Sequence, residues 1–317
     1  MTLTYSVVIP VFNSNRSLPV LVKGLREVFN SGLTENYEII FVDDCSTRPE
    51  TWEMLKSLVK DDHRIRIFRL ARNVGKPGAV ICGLSRAKGE WIILMDDDLQ
   101  HRPEDIPLLI SRKEHDVVIA RFSQKKCGYF KRWTSDLKGW LDSFILGKPS
   151  HISASPFKLI NRRVAKAIIG IRTPNPFIMA LILHVTSDIV NVDVVHEPRR
   201  YGKSQYTLKK ALSQFSNMIF NNSLLMLKVM SLIGFGMAAS SGSFGIFLIL
   251  RWFFAKHAVA GWTSLMVMLL SVTGIIMFCL GILGEYLARL ISTAEKRPTY
   301  VIQESVEAEE EAKSCTL

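Results

Sequence analysis

The sequence predicts an α/β fold with a mostly parallel central sheet, followed by an amphipathic interface helix and two transmembrane helices. Three observations carry this. Short apolar runs alternate with helical patterns through the N-terminal third. One run, Trp91 to Met95, leads straight into Asp96, Asp97 and Asp98. Two stretches, Val229 to Leu250 and Ala258 to Gly284, carry no Asp, Glu, Lys or Arg. Each is long enough to cross a hydrocarbon core of about 30 Å as a helix.

The elements follow in order. Ser6 to Val11 is a strand, and a helical pattern runs through Leu18, Leu21, Val22, Leu25, Val28 and Phe29. Tyr37 to Val42 is a second strand ending on Asp43-Asp44-Cys45-Ser46. Trp52 to Val59 reads as a helix and Ile65 to Leu70 as a third strand, followed by Arg72-Asn73-Val74-Gly75-Lys76. Ala79 to Ala87 is a helix, Trp91 to Met95 a fourth strand, and Val117 to Ala120 a further strand. Such alternation implies right-handed crossovers. It also collects polar strand ends on one edge, where open α/β sheets bind ligands.

The chain has 317 residues, a formal net charge of +11, and 48% hydrophobic residues. The charge fits a nucleic acid or an anionic membrane. The uneven spread of apolar residues selects the membrane, and no nucleic acid is expected. The expected organisation is a cytoplasmic N-terminal domain over 1–207, a juxtamembrane amphipathic helix over 208–227, two transmembrane helices within 228–290, and a cytoplasmic tail over 291–317. Leu208 to Leu225 mixes Lys209 and Lys210 with Phe215, Met218, Ile219 and Phe220, as an interfacial helix does. No basic leader precedes the first strand, so the N-terminal domain is expected in the cytoplasm. Lys209, Lys210 and Lys228 before the first span, and Arg289, Lys296 and Arg297 after the second, agree with that orientation. Arg251 and Lys256 in the intervening loop weaken the charge argument. The five cysteines are scattered and show no zinc or disulfide spacing. Glycines and serines over 234–245 hint at close helix packing, and Glu285 pairs with Arg289 one turn on. Glu304 to Glu311 reads as an acidic, disordered tail.

Asp96 and Asp98 are one residue apart at a strand end. That pattern can hold Mg²⁺ or Mn²⁺, hard cations that accept carboxylate oxygen and leave sites for phosphate. A solvated acidic turn is the plain alternative, but three adjacent carboxylates repel without a cation. Asp44 either caps the next helix or binds a base or ribose. Asn73 to Lys76 is either an ordinary turn or a phosphate loop. It is not a Walker A loop, whose spacing is absent.

Four segments together resemble the family-2 glycosyltransferases with the GT-A fold: Ser6 to Asn13, Val42 to Ser46, Arg72 to Lys76, and Asp96 to Glu104. The narrower likeness is to the polyprenyl-phosphate glycosyltransferases: the bactoprenol glucosyltransferases, the undecaprenyl-phosphate aminoarabinose transferases and the dolichyl-phosphate mannose synthases. It continues through Phe157-Lys158-Leu159, Tyr201 to Tyr206, the two spans, Leu283 to Arg289 and Lys296-Arg297-Pro298. The resemblance implies transfer of a sugar, with inversion, from a nucleotide (UDP by family weight) to undecaprenyl phosphate. The setting would be the inner face of a bacterial cytoplasmic membrane, in cell-envelope glycan synthesis or modification. It implies that Pro10, Val11, Asn13, Asp44, Ser46, Asn73 and Lys76 surround the nucleotide. Asp96 and Asp98 would hold the metal and Gln100 would sit near the donor sugar. Arg121, Arg132, Arg200, Lys203 and Ser204 are the candidates for the acceptor phosphate, with Lys131 and Arg199 beside them. A homotetramer is implied only by the likeness.

Three positions depart from the pattern. Ser14 stands where many relatives carry Glu, and Lys158 where Arg is usual. No carboxylate lies near Ser153, where a base has been placed in bacterial relatives. Either no base is needed, since the acceptor phosphate is already ionised, or His151 or Asp97 serves. Two rivals stay open on sequence alone: a glycan-elongating transferase, and a degenerate scaffold subunit of a sugar-export complex.

Overall fold

The computed structural model describes residues 3–33, 36–122, 149, 152–153, 155–171, 173, 176–194, isolated positions between 232 and 250, 261–294 and 298–307. The chain forms two compact units, one of residues 1–206 with 296–317 and one of residues 207–295.

In the first unit β1 (Tyr5–Val11), α1 (Leu18–Val28), β2 (Tyr37–Asp43), α2 (Pro49–Asp61), β3 (Ile65–Leu70), α3 (Lys76–Arg86) and β4 (Trp91–Leu94) follow the expected alternation. Next come the short α4 (Ile106–Ile110), β5 (Val117–Phe122), β6 (Lys158–Asn161), α5 (Arg162–Gly170), α6 (Ile178–Val185) and β7 (Ile189–Val194). The sheet order is β7-β5-β6-β4-β1-β2-β3-β8, where β8 is Ile302–Glu307. The strands β3-β2-β1-β4 run parallel, and β7 is parallel to β5. β6 and β8 pair antiparallel with their neighbours, so the sheet is mixed.

Alternate residues of each central strand feed two cores. Val7, Ile9, Ile39, Phe41 and Ile93 pack with α1 and α2 on one face. Val8, Ile40, Val42, Ile92 and Leu94 pack with α3, α5 and α6 on the other. Burial on both faces explains why these strands read as continuous apolar runs. α3 comes close to the sheet at Gly83, where an added Cβ would lie 2.2 Å from Val8 Cγ1.

The crossovers β1-α1-β2 and β2-α2-β3 step outward in one direction. β3-α3-β4 steps back past β1, and with handedness fixed α3 must cover the opposite face. The order therefore reverses between β1 and β4. Pro10 opens the crevice there. Val8 accepts the Met95 N–H at 3.2 Å, and the β1–β4 ladder ends at Val8 and Leu94. Pro10, two residues on, turns its missing donor to the side where pairing has stopped, so no ladder bond is lost.

The expected disordered acidic tail is corrected in its first half. Ile302–Glu307 is strand β8, antiparallel on β3. Ile302 and Val306 alternate with exposed Gln303, Ser305 and Glu307, Glu304 pairs with Lys56 at 3.6 Å and Glu307 with Arg66 at 3.2 Å. Composition made the segment look solvated; an open sheet edge supplied its partner. Residues 308–317 lie outside the described set.

In the second unit, α7 (Trp262–Ala294) runs ten residues past the expected end of the second apolar stretch. Its described side chains include exposed Leu265, Leu269, Ile276, Leu280, Leu283 and Leu287. The described positions between 232 and 250 are helical. Among the described residues no helix is long and apolar enough to cross a membrane. The expected amphipathic helix over 208–227, and the side chains of Glu285 and Arg289, lie outside the described set.

Candidate active site at the carboxyl edge of the sheet

Each of the four parallel strands is followed by one residue with positive φ: Asn13 at 57°, Cys45 at 56°, Gly75 at 81° and Leu99 at 62°. Left-handed backbone is costly for residues other than glycine and concentrates where surrounding structure enforces it. Here all four lie on one edge.

Hydrogen bonds tie the loops together. The Asn13 N–H donates to Ser46 Oγ at 2.8 Å, and Asn13 Oδ1 accepts from the Thr47 N–H at 3.0 Å and the Arg48 N–H at 3.2 Å. The Ser46 N–H donates to Asp43 Oδ1 at 3.0 Å. Asp44 Oδ1 accepts the Val74 N–H at 2.8 Å, and Asn73 Nδ2 donates to the Asp44 carbonyl at 3.1 Å. Asp44 therefore does not cap α2; it fixes the loop after β3. Burial pushes its carboxyl up to about 6, opposed by the Val74 and Gly75 N–H groups, while Asp43 raises it further. Asp43 is also raised by burial, against Ser46 and Arg69.

After β4, the Asp96 N–H donates to Nδ1 of His101 at 2.9 Å, so that nitrogen is the ring's unprotonated one. The imidazole is stacked with Phe157 at 5.2 Å and Phe122 at 5.6 Å. The Gln100 N–H donates to Asp98 Oδ1 at 3.1 Å, closing the turn. Lys76 Nζ lies 2.5 Å from Asp96 Oδ1. Burial pushes Asp97 up to about 6; the Ser14 hydroxyl opposes this, and Asp96 and Asp98 add to it. Ser14, one of the departures from the family pattern, thus contacts the acidic triplet. Asp97 Oδ2 is buried with no hydrogen-bond partner among the described residues. Lys158, opposite Leu94 in the β4–β6 pairing, is 4% exposed. Burial and Lys76 push its ammonium down to about 8, while Asp96 opposes them.

The structure thus brings Pro10, Val11, Asn13, Asp44, Ser46, Asn73, Lys76, Asp96, Asp97, Asp98 and Gln100 to one edge. Arg121 is elsewhere engaged: its guanidinium forks onto Asp193, at 2.6 Å from Nε and 2.9 Å from Nη2. Arg132, Arg200, Lys203, Ser204 and His151 lie outside the described residues. His101 and Arg69 were not singled out from sequence. His101 sat inside a quoted motif, but its bond to the Asp96 backbone depends on the turn that Leu99 makes.

Asp96 and Asp98 offer the hard oxygen donors that a divalent cation takes. Among the described residues no group of three or more His, Cys, Asp or Glu is arranged to hold a metal ion alone. The set fits an ion whose remaining ligands come from a bound anion.

A doubly wound sheet with charged loops at its switch point is the architecture of α/β enzymes that bind nucleotides. The chain belongs to glycosyl transferase family 2, whose model matches residues 6–169, and it is a glycosyltransferase. It is 32% identical over 304 residues to the Bacillus subtilis (strain 168) protein named uncharacterized glycosyltransferase YkcC, covering 95% of this chain and 94% of the relative. It is 31% identical over 308 residues to the undecaprenyl-phosphate 4-deoxy-4-formamido-L-arabinose transferase of Pseudomonas paraeruginosa (strain DSM 24068 / PA7), covering 96% and 90%. Among solved structures, glucosyl-3-phosphoglycerate synthase from Mycobacterium tuberculosis, in complex with Mn²⁺, UDP and phosphoglyceric acid, matches with a TM-score of 0.49 at 16% identity, covering 68% of this chain and 74% of that one.

Proposed function

We propose that this protein transfers a sugar from a nucleotide sugar to the phosphate of a polyprenyl lipid, with inversion, at a membrane surface. The observation that carries the reading is the carboxylate triplet at the switch point, flanked by two lysines, in a chain that aligns nearly end to end with an undecaprenyl-phosphate sugar transferase.

Asp96 and Asp98 would hold Mg²⁺ or Mn²⁺, which when bound would neutralise charge developing on the leaving diphosphate. Lys76 and Lys158 add positive charge on the same side. Asp44, Asn13 and Ser46 fix the loops that would receive the nucleoside. The acceptor phosphate is ionised near neutral pH and needs little help from a base, consistent with Asp97 being tied to Ser14. The missing carboxylate near Ser153 is then no obstacle.

The sheet also bears on membrane topology. β3 precedes the apolar unit and β8 follows it, yet the two are hydrogen-bonded neighbours. Residues 65–70 and 302–307 therefore share one side of any membrane that the intervening chain enters. That supports an even number of crossings, as two spans require.

The test uses full-length protein in detergent, undecaprenyl phosphate, Mg²⁺ or Mn²⁺, and a panel of radiolabelled nucleotide sugars. Label should enter an organic-extractable lipid from one donor and stop with EDTA. Asp96→Asn and Asp98→Asn should each lower the rate on the order of 100-fold or more. Folded protein that labels no lipid from any donor would overturn the proposal.

A further inference from the structure

The described site holds one short contact between opposite charges, from Lys76 to Asp96, and the reading above asks both residues to do something else. Asp96 must give its carboxylate to a cation. Lys76 must face a diphosphate. While they hold each other at 2.5 Å, the ammonium competes with a cation for Asp96 Oδ1, and one of its three donors is withheld from a diphosphate.

We propose that Lys76 is an exchangeable placeholder: its ammonium occupies the cation position on Asp96 until a divalent ion arrives, and is then handed to the donor diphosphate. This rests on the proposed metal and donor site. Several features make the exchange feasible. Lys76 opens α3 directly after Gly75, whose φ of 81° turns the chain into the helix. The lysine side chain is 47% exposed, so it can swing without disturbing the core, whereas Asp96 is 20% exposed. Asp96 itself is held from its backbone by His101, so the lysine and not the carboxylate is the moving partner. Lys158 is a different kind of cation. It is buried on β6, 4% exposed. It stays near Asp96 in either state, leaving Lys76 as the mobile charge.

The placeholder removes a cost. Three adjacent carboxylates without a counter-ion repel one another, and a resident ammonium relieves this in the empty enzyme. It also makes the ion compete with Lys76 for Asp96. A diphosphate that takes the ammonium should therefore strengthen metal binding beyond what its own oxygens contribute.

The experiment reads the lysine directly. Full-length protein would be acetylated briefly with a small amine-reactive reagent, and the rate at Lys76 followed by mass spectrometry. Mn²⁺ binding would be measured in parallel by electron paramagnetic resonance. Mg²⁺ should raise the labelling rate of Lys76 several-fold, and inorganic pyrophosphate added with Mg²⁺ should lower it again. In Asp96→Asn the rate should be high from the start and insensitive to Mg²⁺. Lys76→Met should bind Mn²⁺ about five- to tenfold more tightly than wild type in the absence of nucleotide. If Mn²⁺ binds but labelling at Lys76 does not respond to Mg²⁺, the exchange is wrong and the metal site stands. If pyrophosphate leaves the raised rate unchanged, the handover to diphosphate is wrong. If neither wild type nor Lys76→Met binds Mn²⁺, the metal reading falls together with the exchange.

Discussion

The two edges of the parallel sheet are built from the same kinds of residue and treat them in opposite ways. At the amino edge, Ser6, Glu38 and Arg66 are buried on three neighbouring strands. Glu38 Oε1 accepts from Ser6 Oγ at 2.6 Å and from the Lys88 N–H at 2.6 Å, and its Oε2 accepts from Arg66 Nη1 at 2.7 Å. Arg66 also donates to the Arg86 carbonyl at 2.8 Å and to Glu307 at 3.2 Å. At the carboxyl edge, Asp43 Oδ2 and Asp97 Oδ2 are buried without a hydrogen-bond partner among the described residues, although Arg69 Nε lies 3.4 Å from Asp43. The lesson is about where charge is left uncompensated. The amino edge neutralises its carboxylate and so serves stability. The carboxyl edge gathers five aspartates, two of them with a buried oxygen that has no hydrogen-bond partner among the described residues, and so keeps potential for a cation or a substrate.

Breaking the amino edge should give the largest effect on stability. Glu38→Ala strips Arg66 of its buried partner and leaves Ser6 and the Lys88 N–H without their acceptor. A loss of about 3–5 kcal/mol is expected, measured as a drop in the denaturation midpoint. A loss below about 1 kcal/mol would mean that the edge is solvated and the contrast false.

Removing charge from the carboxyl edge should do the reverse. Asp44 is buried with its carboxyl pushed up to about 6, above its unfolded value. Its folded form therefore holds its proton more tightly. The destabilising contribution is absent below pH ~4, grows as pH rises through the window to about 6, and is complete above it. Asp44→Asn should thus stabilise the protein near pH 7.5, by up to ~3 kcal/mol, while lowering donor affinity. Its advantage in melting temperature should shrink as pH falls from 7.5 to 5. An advantage that instead grows on acidification would show that Asp44 is stabilised as the anion.

The smallest effect belongs to the outer strand. Glu304 pairs with Lys56 across a half-exposed contact of 3.6 Å, so Glu304→Gln should change stability by less than ~1 kcal/mol. A larger change would mean that β8 is anchored by charge and not by its backbone pairing with β3.

Much of this was legible in the residues. The third strand matches expectation end to end, and β1, β2, β4 and β5, with the helices α1, α2 and α3, match within a few residues, because each is an apolar run with its own period. The acidic triplet announced itself by its place at a strand end. β6, β7 and β8 were not legible as strands, since short or polar segments become strands only beside a partner far away in sequence. Lys158 is the clearest case. In sequence it is a lysine in place of an arginine; only the antiparallel pairing with β4 buries it beside Asp96.

Periodicity and composition alone therefore determined an α/β sheet with one charged edge and an apolar unit beyond it, because local runs of side chains set both. Tertiary structure decided which carboxylates are neutralised, which lysine holds Asp96, and that the chain's end returns to close the sheet. Those outcomes depend on burial and on partners separated by tens to hundreds of residues, such as Arg66 with Glu307, and no local pattern encodes such distances.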